Sequence, residues 1–68
     1  MKINFQRYEL ARARACMTSS DIARDSGINR NTLNTCLRRG NCNAATVGKI
    51  ARALGVDVLD IIEQEEKP

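Results

Sequence analysis

Apolar residues in this 68-residue chain recur at the spacing of helices and never alternate over the length of a strand. Five helical segments can be read from the pattern. In the first, residues 5–15, Tyr8, Ala11 and Ala15 share one face, and the alanines favour helix while allowing a neighbour close. The second starts at Thr18. Thr18 and Asp21 have the spacing of a capping box, Ile22 and Ala23 supply the buried side, and Gly27 ends the helix after Ser26. After Ile28, Asn29 is placed to cap a third helix running to about Arg39, with Leu33, Cys36 and Leu37 inward, and Gly40 stops it.

The fourth helix has the strongest amphipathic pattern. Behind the cap Asn43, residues Val47, Ile50, Ala51 and Leu54 fall at i, i+3, i+4 and i+7. Gly48 interrupts this helix at a cost of about 1 kcal/mol relative to alanine, which implies either a close contact or simple tolerance. Gly55 ends it, and Asp57 caps a fifth helix expected over 58–63. The polar residues 64–68 are expected to form a frayed tail. The pattern therefore predicts an all-α fold: one compact domain over 1–63, with Ile22, Ala23, Leu33, Val47, Ile50 and Leu54 buried together.

The most informative stretch is 18–40. A capped helix of about two turns, a glycine turn and a second capped helix make the helix-turn-helix layout. Ala23 provides a small residue where the helices cross, Gly27 the backbone freedom for the turn, Ile28 a core plug, and Leu33 an anchor for the second helix. The outward face of that helix carries Arg30, Asn31, Asn34, Thr35 and Arg38 and no carboxylate. A merely solvated face normally carries glutamates. Arginine and asparagine instead present the hydrogen-bonding groups that match guanine and adenine edges.

Charge sharpens this picture. Residues 1–54 hold ten basic side chains against Glu9, Asp21 and Asp25, whereas residues 55–68 hold one lysine against five carboxylates. The body has the composition of a polyanion binder and the end does not. Eight of the eleven cations are arginine, whose planar fork suits phosphate and guanine. Histidine is absent, and Cys16, Cys36 and Cys42 form no C-x-x-C pair, so no metal site, cofactor or nucleophile–base arrangement is expected and the chain does not read as an enzyme. Cys16 and Cys36 read as small core hydrophobes. Cys42, in a loop beside Arg38 and Arg39, leaves a redox-sensing role open. Unpaired cysteines, no signal-like run and no stretch near the ~20 apolar residues of a membrane span point to a cytoplasmic protein, with no membrane partner and no small-molecule ligand evident.

Three stretches together resemble the Cro and phage-repressor (Xre) class of DNA-binding domains. They are Met17-Thr18-Ser19-Ser20-Asp21-Ile22-Ala23, Gly27-Ile28-Asn29-Arg30-Asn31-Thr32-Leu33, and Lys49-Ile50-Ala51-Arg52-Ala53-Leu54-Gly55-Val56-Asp57. The resemblance, over residues 8–62, implies a lambda-repressor-like fold whose third helix enters the major groove of double-stranded DNA. It puts base reading on Arg30, Asn31, Asn34 and Thr35. It puts phosphate contacts on Ser19, Thr32 and the loop before the fourth helix, here Arg38, Arg39, Asn41 and Asn43. The chain departs from the family pattern in three places. Ser19 stands where a glutamine is usual, and the loop lacks a proline at Cys42. Leu37 replaces a glutamate that often pairs with an arginine on the first helix, which leaves Arg12 without that partner.

Function as a transcriptional regulator, a repressor for preference, requires more DNA than one recognition helix covers, so a homodimer is expected. The fifth helix, apolar nearly all round, offers Leu59 and Ile62 for that contact, with Val58 and Ile61 turned to the core. The competing class is a protein-interaction module of the same fold, such as an antitoxin or anti-repressor. It would carry exposed apolar or acidic residues on the third helix, where this chain is basic and amide-rich.

Overall fold

A computed structural model describes residues 1–63, so the expected tail at 64–68 lies outside the described residues. The helices are α1 (Phe5–Ala15), α2 (Ser19–Ser26), α3 (Arg30–Arg39) and α4 (Ala44–Leu54), followed by a single 3-10 turn, η1 (Val58–Asp60). Each begins at a side-chain cap. Asn4 accepts from the Arg7 N–H, Asn29 from the Asn31 N–H at 2.7 Å, and Asn43 from the Thr46 N–H at 2.8 Å. The capping box of α2 is complete. Thr18 Oγ1 accepts from the Asp21 N–H at 3.1 Å, and Asp21 Oδ2 accepts from the Thr18 N–H at 2.9 Å. These bonds satisfy amides that the helix itself leaves without acceptors.

The core expected from the sequence forms as one cluster: Ile22, Ala23, Leu33, Val47, Ile50 and Leu54 are all buried. Tyr8, Ala11 and Ala51 complete it from α1 and α4, and Ile28, Cys36 and Leu37 pack against it. The largest helix–helix contact joins α2 to α4. α1 lies on α4 and η1, while α3 leans chiefly on α2.

Three expectations need correction, and the first four residues add a feature with no sequence signal. The fifth helix is only the three-residue turn η1. The chain then extends, so that Ile62 pairs with Ile3 in an isolated antiparallel bridge. Residues 1–4 have no helical or strand pattern, yet they run as a strap between two other segments. On one side the Ile3 N–H donates to the Gly40 carbonyl at 3.0 Å and the Cys42 N–H to the Met1 carbonyl at 2.9 Å. On the other the Asn4 N–H donates to the Ile61 carbonyl and the Glu63 N–H to the Lys2 carbonyl, both at 2.9 Å. This pairing buries Ile3 and Ile61 in the core. Cys16 is exposed, not a core residue: it is the C-cap of α1, in the left-handed conformation at φ 54°, beyond the last helical turn. Cys42 is buried at 6% exposure, because the strap covers the loop that carries it.

Candidate nucleic-acid interface

On α3 only Leu33 is buried, with Cys36 and Leu37 half-buried beside it. At 3.6 residues per turn, Arg30, Asn34, Arg38, Asn31 and Thr35 span an arc of about 140° on the opposite side. All are exposed except Thr35, which is half-buried at the edge of that arc. Thr32 and Arg39, both exposed, flank it. The Asn29 cap fixes the start of the helix, so Arg30 and Asn31 stand at its N-terminal turn, the end with unsatisfied N–H groups and a positive dipole.

The flanks come from two other places. Ser19, half-buried, is the first residue of α2. Asn41 and Asn43 are exposed on the loop between α3 and α4. Asn43 Oδ1 is committed to capping, and Asn41 Oδ1 accepts from the Met1 amino group at 3.3 Å. Each amide therefore keeps its N–H2 end for an outside acceptor. The strap also places Lys2 opposite Asn41 in a bridge, adding a cation to this loop. Sequence reading missed Lys2. No periodic or spacing signal links positions 2 and 41, since they meet only through backbone pairing.

The arginines divide into two groups. Arg12 is gripped by Glu9 through Nε and Nη2, at 3.1 and 2.9 Å, so the partner expected from another helix is replaced by one three residues earlier. Arg24, exposed, pairs with Asp21 and Asp25. Arg30, Arg38 and Arg39 pair with no carboxylate among the described residues. Positive charge is thus left uncompensated on α3 and neutralised on α2, while α1 pairs Arg12 and keeps Arg7 and Arg14 outside any ion pair among the described residues. The acid of the capping box, Asp21, is held below the usual carboxylate range, first by the Thr18 N–H and then by Arg24.

Cys42 does not behave as a reactive loop thiol. Burial, reinforced by the neighbouring Cys36 thiol, pushes it up to about 12, so it stays protonated and unreactive near neutral pH.

Two capped helices joined by a glycine turn, the second presenting an exposed face free of carboxylates, define a helix-turn-helix domain. The sequence matches the Cro/C1-type HTH DNA-binding domain over residues 7–67, and the chain belongs to that family. It is a DNA-binding domain of a non-enzymatic family, with double-stranded DNA as its partner. No curated protein and no solved structure matches it. Among the described residues no helix is long and apolar enough to cross a membrane.

Proposed function

We propose that this domain is a sequence-specific transcriptional repressor that inserts α3 into the major groove. Arg30, Asn31, Asn34 and Thr35 read base edges there. Ser19, Thr32, Arg38, Arg39, Asn41 and Asn43 hold the flanking phosphates. The observation that carries this reading is the exposed, carboxylate-free arc of α3, with Arg30 and Arg38 on it and Arg39 beside it, none of them in an ion pair among the described residues. Arginine and asparagine pair bidentately with guanine and adenine in the major groove, and phosphate contacts then set the register. Binding measured by fluorescence anisotropy against salt concentration tests the electrostatic part. If Arg38 and Arg39 each neutralise one phosphate, log affinity per bound subunit falls with log salt at a slope of roughly −2. A slope near zero contradicts the reading.

The domain works as a homodimer, since two recognition helices about 34–36 Å apart are needed to read half-sites one turn apart. Leu59 is the main contact, a large apolar side chain 57% exposed on η1. Ile62 contributes only its outer edge, because the rest of it packs on its own core. Sedimentation equilibrium of wild type and Leu59→Glu decides this. The expected result is a wild-type dimer and a monomeric variant; a variant that dimerises equally well removes Leu59 from the interface.

A further inference from the structure

Tyr8 is the one tyrosine in the chain and one of its most deeply buried side chains, at 1% exposure. Its ring fills the core between α1 and the rest of the bundle, a task phenylalanine performs equally well. The hydroxyl is therefore surplus to packing, and burying one without a hydrogen bond is unfavourable. Yet the Tyr8 hydroxyl is buried with no formed hydrogen bond among the described residues. The side-chain hydroxyl that acts on it is that of Ser19, the first residue of α2, and the charges of Arg12 and Glu9 reach the same phenol. Burial raises the phenol above its ordinary value, so it is a neutral O–H donor across the physiological range.

Ser19 stands at an N-terminus prepared for an anion. The amides of the first turn lack intrahelical acceptors and the helix dipole is positive there. The nearby acid, Asp21, is occupied by the Thr18 N–H and Arg24. A serine hydroxyl has one proton and can rotate to spend it on a local carbonyl. A donor supplied from beneath takes a lone pair of Oγ and turns that proton outward.

We propose that the Tyr8 hydroxyl is the positioning group for Ser19 at a DNA phosphate. Tyr8 O–H donates to Ser19 Oγ, and Ser19 O–H donates to a phosphate oxygen. The bond tightens when the phosphate arrives, which accounts for a hydroxyl left waiting in the DNA-free protein. This inference rests on the phosphate role of Ser19 given above.

Four proteins test it: wild type, Tyr8→Phe, Ser19→Ala and the double variant, titrated over one series of salt concentrations against a random-sequence duplex pool and a selected site. Tyr8→Phe is expected to weaken binding to both about two- to tenfold, the loss of one hydrogen bond, and to leave the salt slope unchanged. In the Ser19→Ala background the same substitution should change nothing. As the only tyrosine, Tyr8 also gives a single Cζ resonance in carbon-13-labelled protein. That resonance should shift on DNA binding in wild type and stay unmoved in Ser19→Ala. A Tyr8→Phe variant that binds like wild type, or that loses the same factor in both backgrounds, overturns the proposal. Ser19→Ala binding like wild type overturns instead the phosphate role of Ser19 beneath it.

Discussion

Helices α3 and α4 are neighbours of nearly equal length, 10 and 11 residues, with opposite duties. α4 buries Val47, Ile50, Ala51 and Leu54, a full apolar stripe that α1, α2 and η1 all use. α3 buries Leu33 alone. A helix anchored by so little apolar area is held by its ends and edges: the Asn29 cap, the plug of Ile28, the half-buried Cys36 and Leu37, and the Gly40 turn tied to the strap. The contrast shows how a small domain frees a surface for its partner. One helix holds the core together, and the next gives most of its circumference to polar groups.

Breaking the anchors should have the largest effect. Leu33→Ala and Ile50→Ala should each cost about 2–5 kcal/mol in denaturant unfolding. A 68-residue domain has only about 3–10 kcal/mol of stability in total, so either change threatens the fold. Next come changes on the free face of α3. Arg30→Ala or Asn31→Ala should weaken the specific site by about 1–3 kcal/mol while leaving unfolding within ~0.5 kcal/mol of wild type. Arg39→Ala should weaken all duplexes about equally. A loss of stability matching the loss of binding in Arg30→Ala would erase the division of labour between the two helices.

Smaller effects sharpen the view of α4 and of the loop joining it to α3. At Gly48 an added Cβ would meet nothing within 4 Å, and its φ is not left-handed, so the glycine is tolerated and not required. Gly48→Ala should stabilise the domain by about 0.5–1 kcal/mol in thermal or denaturant unfolding. Cys42 makes the loop sensitive to alkali. Its folded pKa, about 12, lies above the ordinary 9.0, so the folded state holds the proton more tightly. The resulting stability is full below pH 9 and is lost as the pH rises toward 12. The melting temperature should fall over that window, and less steeply in Cys42→Ala.

The middle of the chain was legible because its signals are local. Thr18 with Asp21, Asn29, Asn43 and the glycines at 27, 40 and 55 each announce a helix end within a few residues, and α4's apolar spacing announces the core. The exposed face of α3 was legible for the same reason. The ends were not. The strap of residues 1–4 and the short η1 are set by backbone bonds between Ile3 and Gly40, Asn4 and Ile61, and Glu63 and Lys2. Such bonds leave no mark on side-chain periodicity, and that long-range pairing is what buries Cys42 and brings Lys2 to the interface loop. The Arg12–Glu9 pair was readable from its i, i+3 spacing, but the family pattern drew attention to the wrong partner.

Sequence-specific binding depends above all on base reading by the exposed arc of α3. Selection of bound duplexes from random DNA, run in parallel for wild type, Arg30→Ala and Arg39→Ala at one stated salt concentration, tests it most directly. Base reading by α3 predicts a defined wild-type motif, loss of preference at particular positions for Arg30→Ala, and an unchanged motif at lower yield for Arg39→Ala. A wild-type motif that Arg30→Ala leaves untouched would contradict it.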